Sequence, residues 1–307
     1  MMAGKSNSAC EGIEVAVWSF NRQGPFYGLQ RRLGLFADSD LAAPGRALLF
    51  ALLAWIPAVL LALTEDNAWG DHYEHAVLLD FISAYAFAIA IAAFVLMEGT
   101  SDRRMARLVG QFQRTGVAIE AARPCFTRAR ESMERRTGSW PLELGLAVLS
   151  FVLAFLWIQA GVERVRVGTW FGGLEGGGLY LTLAGWWALA VALPLFWFLL
   201  LRWLWRFVAW ALLLRDIARC DLRLVATHPA GCGGLAFIGQ YPKTYVLFVF
   251  ALSTVVSATT FRQVVFAGAS QFSFKLALLG MIVFLIAAFA LPLFFSRPFW
   301  SGYSGRA

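Results

Sequence analysis

Charge is scarce in this chain, and basic charge is nearly missing from every second stretch between its apolar runs. Only 15% of the 307 residues are Asp, Glu, Lys or Arg, where a soluble domain carries about a quarter. Hydrophobic residues make up 59%, with 13 Trp and 27 Phe, and the mean hydropathy is +0.64. That balance excludes an ordinary soluble domain and implies an integral membrane protein. Several chemical signatures are also absent. No Gly-Lys-Ser/Thr follows a glycine-rich loop, which excludes a P-loop triphosphate site. There is no HExxH, no Ser/His/Asp set and no pair of intramembrane aspartates, so an enzyme is not the leading reading and no cofactor is expected. The two halves show no inverted repeat, which argues against a typical secondary transporter. The formal charge of +7 is accounted for by loops facing anionic headgroups, and nucleic acid is not expected as a partner.

Six apolar stretches are each about long enough to cross a hydrocarbon core of ~30 Å as a helix. They cover 47–63, 76–97, 141–161, 179–201, 244–266 and 274–296. The basic residues between them alternate. Segments 1–46, 98–140, 202–243 and 297–307 hold 5, 9, 6 and 2, or 22 of the 26 in the chain. The intervening segments hold 0 and 2, and Arg262 and Lys275 flank the last connection. The positive-inside rule then places both termini in the cytoplasm. The expected fold is all-α, a polytopic membrane protein of six transmembrane helices with a cytoplasmic helical hairpin. Its parts are a cytoplasmic N-terminal segment with an interfacial helix (1–46), a transmembrane hairpin (47–97), the cytoplasmic hairpin (98–140), a four-span region (141–296) and a tail (297–307). The first 46 residues are polar and mixed, so Ala47–Leu63 is expected to stay as a span and not to act as a signal peptide.

The connections carry further expectations. Glu65, Asp66, Asp71 and Glu74, with His72 and His75, form an acidic outer loop. Phe26–Phe36 reads as a short interfacial helix whose Arg31 and Arg32 reach headgroups. In 98–140, Met105, Leu108, Val109 and Phe112 repeat at the spacing of one apolar helical face. Gly116 is a plausible stop there, and Pro124 a plausible start for a second helix. The hairpin is expected to pack on neighbouring subunits or on 202–243. Helix-compatible sequence runs from Leu179 to about Leu224, roughly 68 Å at 1.5 Å per residue. Trp203, Trp205 and Trp210, with Arg202 and Arg206, suggest that its end lies along the membrane surface, and Pro194 suggests a kink. Cys10, Cys125, Cys220 and Cys232 all fall on the cytoplasmic side, where thiols are reduced and a structural disulfide is not expected.

Four groups of residues are candidates for function. In Thr227–Leu235, His228, Gly231, Gly233 and Gly234 could form a ligand loop or gate, since such backbone can cradle an anion. A tight turn between close helices accounts for the same glycines. Cys220, His228 and Cys232 are weak metal candidates, because their spacing matches no usual zinc arrangement. Ser253, Ser257 and Thr260 lie at i, i+4, i+7 in the fifth span, with Arg262 near its outer end. A hydroxyl stripe of that kind can line a water-filled path or serve helix packing. Asp80 and Lys275 are intramembrane charges that could pair with each other or with Arg262, whereas Glu98 and Glu143, at the inner ends of spans, are expected to be solvated.

The segment Gly28-Leu29-Gln30-Arg31-Arg32-Leu33-Gly34-Leu35, taken with Thr227-His228-Pro229-Ala230-Gly231-Cys232-Gly233-Gly234-Leu235, resembles a group of bacterial inner-membrane proteins. In that group a similar arginine-rich approach precedes the first helix, and a His-Pro-x-x-x-Gly-Gly-Leu loop precedes a late span. The resemblance implies a multi-pass protein of the bacterial inner membrane and carries no activity with it. An acidic residue often follows His-Pro in the group, where this chain has Ala230, so no role needing a carboxylate transfers. The function expected from these residues is an oligomeric channel or pore-like protein for small ions, in which the lipid bilayer and further copies of the chain are the partners. The alternative is a signalling or scaffold protein that offers its arginine-rich hairpin to a cytoplasmic protein. A membrane-bound enzyme comes third.

Overall fold

A computed structural model describes residues 24–35, 42–65, 81–114, 122–165, 170–175, 178–220, 236–265 and 271–295. Its long helices are the apolar runs of the sequence. In hydrocarbon every backbone N–H and C=O must bond within the segment, and a helix achieves this locally. Five stretches are long and apolar enough to cross a membrane: Ala43–Thr64, Tyr85–Gln111, Trp140–Gly161, Leu183–Ala218 and Gly239–Val264. A further helix contains a shorter apolar stretch, Lys275–Ala290. The chain is therefore an all-helical multi-pass membrane protein in its main architecture.

Helices α1 (Pro25–Arg32), α2 (Ala42–Thr64) and α3 (Phe81–Arg114) come first, followed by α4 (Arg123–Thr137) and α5 (Trp140–Val165). Strands β1 (Gly172–Glu175) and β2 (Gly178–Leu181) pair antiparallel, with Gly172 opposite Leu181. The chain continues through α6 (Leu183–Trp187), a π-helical turn (Ala188–Ala192) and α7 (Leu193–Ala218). A 3-10 segment (Ala236–Tyr245) leads into α8 (Val246–Val265), and α9 (Gln271–Phe295) ends the described chain.

A short helix stands where one is expected near the N-terminus: it is α1, with Arg31 and Arg32 exposed and Gln30 buried. The second span and the helix after it form one element, α3. Met105 and Leu108 are buried and Val109 packs against the core, as the periodicity implied. Pro124 lies in the first turn of α4, where its missing N–H costs nothing. The residues around Gly116 lie outside the described set.

At the centre of the bundle α3 packs against α2, α7 and α8, and α7 packs against α4, α5 and α9. The core is aromatic, with Phe94, Trp203, Phe207, Trp210, Tyr241 and Phe248 all fully buried. The opposite faces are apolar and bare. On α5, Val148, Phe151, Val152 and Phe155 are exposed, and on α9 so are Leu276, Leu279, Val283 and Ile286. Surfaces of this kind suit contact with lipid chains.

Two sequence expectations are corrected by this packing. Trp203 and Trp210 do not lie along a membrane surface; they are inside the bundle, because α7 runs through its middle. Pro194, where a kink is expected, stands in the first turn of α7 directly after the π-helical turn, where its missing N–H costs nothing. Cys125 and Cys220, expected as thiols, are joined by a disulfide. The packing of α4 along α7 brings their Cα atoms to 5.8 Å, within the range a disulfide needs. Arg136 Nη1 to Asp216 Oδ2, at 2.9 Å, ties the same two helices.

The β1–β2 hairpin was not legible in the glycine-rich sequence. It is fastened at its base: Thr182 Oγ1 donates to the Trp170 carbonyl at 2.7 Å and accepts from Gly185 N–H at 2.9 Å. Glu65, expected in the acidic outer loop, accepts the Leu183 N–H at 3.0 Å, placing a carboxylate at the start of α6. Gly185 has no room for a side chain, since an added Cβ would run into the Phe171 carbonyl. Gly185→Ala is therefore expected to cost roughly 1–3 kcal/mol through overpacking. The detergent-solubilised protein should melt measurably lower, and an unchanged melting curve would contradict this contact.

Candidate functional site

Two features stand out from the packing, a buried ion cluster and an apolar cavity. Glu98 ends the apolar part of α3 and is only 5% exposed. Arg46 from α2 approaches its Oε2 at 3.3 Å. Arg202 Nη1 and Arg206 Nη2, both from α7, approach Oε1 at 3.2 Å and 3.5 Å. Arg202 Nε also lies 3.5 Å from Glu143 Oε1 on α5. The α1 helix joins twice: Phe26 N–H donates to Glu143 Oε2 at 2.8 Å, and Arg46 Nη1 donates to Gln30 Oε1 at 2.8 Å. Gly24 begins α1 with φ +91°, and an added Cβ there would strike the Glu143 carboxylate. Arg202 and Arg206 stack over Phe26 and Trp203, at 4.8 Å and 4.2 Å from the ring centres.

The expectation that Glu98 and Glu143 are solvated is thus overturned, because three buried guanidiniums surround the pair. Arg202 and Arg206, likewise, point into this cluster. Burying ions is costly unless each is paired and hydrogen-bonded, and here five helices share the pairing. The cluster therefore acts as a clamp on the relative depth of α1, α2, α3, α5 and α7.

The cavity encloses about 360 Å³, at the small end of the ~300–1,000 Å³ typical of ligand pockets. Its wall comes from Ala54, Trp55 and Ala58 on α2, Phe87 and Ala88 on α3, and Leu153, Leu156, Trp157, Ile158, Ala160 and Gly161 on α5. Trp170 and Phe171 close one side, Ala188 and Ala192 of the π-helical turn another, and Trp197 lies on α7. Among the described lining residues, the polar side chains apart from the tryptophans are Thr259, Arg262 and Gln263 of α8, spaced i, i+3, i+4 and hence on one helical face. Arg262 sits over the Phe171 ring, 5.3 Å from its centre. The indole nitrogens of Trp55 and Trp197 are buried with no hydrogen-bond partner among the described residues.

A column of rings separates the two features. Phe87 on the cavity wall meets Phe196 at 4.8 Å, Phe196 meets Phe94 at 6.0 Å, and Phe94 meets Phe248 at 5.8 Å. Phe207 continues it toward Tyr245.

The residues singled out from sequence are dispersed. Ser253 leans on Met281 of α9, with Oγ 3.8 Å from Sδ, and Ser257 is exposed. Thr260 is buried and donates to the Val256 carbonyl at 2.6 Å; Thr254 and Thr259 likewise bond carbonyls of their own helix, a common resting place for hydroxyls in apolar helices. Of the stripe and its flank, Arg262 lines the cavity. Lys275 is exposed on α9. Asp80, His228, Gly231, Cys232, Gly233 and Gly234 lie outside the described residues. Cys220 has its sulfur bound to Cys125, so it is not a thiolate ligand in this state. Among the described residues no three of His, Cys, Asp and Glu gather as a metal site would require.

Nothing in the local pattern marks Trp55, Trp157, Trp170 or Trp197 as neighbours, since they come from four separate elements. The ion cluster did leave a trace: Arg46 and Glu143 stand at the N-terminal ends of their apolar runs and Glu98 and Arg202 at the C-terminal ends, which alternating spans bring to one side. Removing one partner of a buried ion pair costs about 3–5 kcal/mol. Glu98→Ala should lower thermal stability in detergent by that order, whereas Arg128→Ala on the exposed face of α4 should change it by less than about 0.5 kcal/mol. Equal melting of the two variants would show that the cluster does not hold the bundle.

The chain matches no family model, no curated protein and no solved structure, so any reading of its function rests on its own geometry.

Proposed function

We propose that this multi-pass membrane protein is a binding protein for a small amphipathic molecule, which occupies the tryptophan-lined cavity within the bundle. The observation that carries this reading is the cavity itself. Its wall is drawn from five helices, the π-helical turn and the Trp170–Phe171 turn, and it has hydrocarbon and indole on most sides and one polar face. Ligand pockets have that balance, mostly apolar with a few placed polar groups. The four tryptophans give such binding a direct readout. Dodecanol or dodecanoate added to the purified chain in neutral detergent should change tryptophan fluorescence saturably. Ala88→Phe, which fills the cavity from α3, should remove the saturable component while leaving the protein folded. Absence of a saturable response to either compound would refute the reading.

The alternating basic residues support an orientation with both termini in the cytoplasm of a bacterial inner membrane. In that orientation the ion cluster faces the cytoplasm and the cavity lies in the outer half of the bundle.

A second reading, an oligomeric pore for small ions, is favoured by one observation: Ser257 faces outward from α8. A path that it lines would then run between copies of the chain, since the aromatic column fills the middle of a single bundle. Under this reading the protein forms a stable ring in detergent, and Ser257→Leu reduces ion flux into liposomes. A monomer with no flux under any gradient would exclude it.

A further inference from the structure

The alternating arginines assign Cys125 and Cys220 to the cytoplasmic side, where thiols are kept reduced, yet the packing of α4 on α7 joins the two in a disulfide. Disulfides in a reducing compartment are mostly transient bonds that respond to redox state. We propose that the Cys125–Cys220 pair is a redox-sensitive latch. Oxidised, it pins α4 to the end of α7; a cytoplasmic dithiol reductant opens it and frees α4. The latch is independent of what the cavity binds, and it rests on the orientation with both termini in the cytoplasm.

The packing of α4 gives the bond its weight. The apolar face of this helix is narrow: Ala129 and Met133 are buried, about one and two turns beyond Cys125, and Phe126 is partly buried against the same core. The ion pair from Arg136 to Asp216 is 34% and 22% exposed at its two side chains, and such pairs contribute little. A helix of 15 residues is marginal once undocked. The cysteines are 95 residues apart, so the bond closes a long loop, the case in which a disulfide restricts an open chain most.

The position of the bond also suits exchange. Cys125 is partly exposed, whereas Cys220 is buried, so an incoming thiolate reaches the Cys125 sulfur. It forms a mixed disulfide there and expels Cys220 as a thiolate. The second thiol of the same reductant then attacks the reductant's own sulfur in the mixed bond and releases Cys125. A pair of electrons passes to the protein, the reductant leaves as a disulfide, and its two protons end on the Cys125 and Cys220 thiols. Closing is the reverse, with the oxidised dithiol as acceptor. Cys125 starts that step, because it lies in the first turn of α4 and a helix N-terminus favours a thiolate.

The test uses the full-length protein in neutral detergent with Cys10→Ser and Cys232→Ser, so that thiol counts report this pair alone. The folded protein is equilibrated with mixtures of oxidised and reduced dithiothreitol, quenched in acid, and its thiols are counted with a maleimide mass tag. The pair should pass reversibly between no free thiol and two. Trypsin cleavage after Arg128 or Arg135 should run at least about tenfold faster in the reduced form, since proteolysis follows the population of the opened helix. Cys125→Ser should be cleaved at the fast rate whatever the dithiol ratio. Equal cleavage of the oxidised and reduced forms would overturn the latch, and so would a bond that opens only in unfolded protein. In bacteria producing the chain, acid trapping should find the pair reduced at rest and oxidised after treatment with diamide. A pair that never oxidises in cells would overturn the latch alone. One that stays oxidised whatever the state of the cytoplasm would overturn the orientation along with it.

Discussion

A carboxylate placed among three guanidiniums inside an apolar bundle organises much of this structure. Glu98 touches arginines from two other helices, and Glu143 links the same group to α5 and to the start of α1. Apolar contacts between transmembrane helices are permissive, because one leucine-rich face slides against another at little cost. Ion pairs in a medium of low polarity are far less permissive, since an ångström-scale displacement exposes a charge to hydrocarbon. The cluster therefore sets the depth at which five helices stand relative to each other, and the aromatic column and the cavity follow from that register.

The cavity exists because bulky and small residues alternate around it. Ala54, Ala58, Ala88, Ala160, Gly161, Ala188 and Ala192 leave the space, and Trp55, Trp157, Trp170 and Trp197 bound it. Its closure on one side depends on the hairpin. The close approach of Gly185 to the Phe171 carbonyl holds Phe171 against Arg262. Backbone fit at one glycine is thereby coupled to the placement of Arg262, the one charged side chain among the described residues of the wall. At the other end of the molecule, α4 is fixed to α7 by the Cys125–Cys220 bond and by Arg136 with Asp216. Four of the nine arginines in 98–140 lie in α4 past its first turn, and they are divided. Arg128 and Arg135 are exposed, whereas Arg130 pairs with Glu134 along the helix and Arg136 pairs across to α7.

What could be read in advance followed the physics of local constraint. Spans such as Ala43–Thr64 and Trp140–Gly161 are legible because hydrocarbon demands a self-satisfied backbone over a fixed length. Pro124 at the start of α4 and the Met105–Leu108–Val109 face of α3 are legible because capping and periodicity act over a few residues. The β1–β2 hairpin escaped notice because its strands are short and glycine-rich and show no alternation. Glu98 and Glu143 read as solvated because each alone, at the end of an apolar run, has water within reach.

The amino-acid sequence by itself determined that this chain crosses a membrane several times as helices, and its alternating arginines carry the information on which way it faces. Those properties depend on composition summed over short windows. Rotation and depth of each helix were decided only by the tertiary structure, because an element such as α9, apolar on nearly every side, has no face that marks its inside. The pairing of Cys125 with Cys220, the enclosure of Glu98 and the meeting of Trp55, Phe171, Trp197 and Arg262 around one space all depend on that rotation. Each joins residues far apart in the chain, and no local pattern encodes the distance between them.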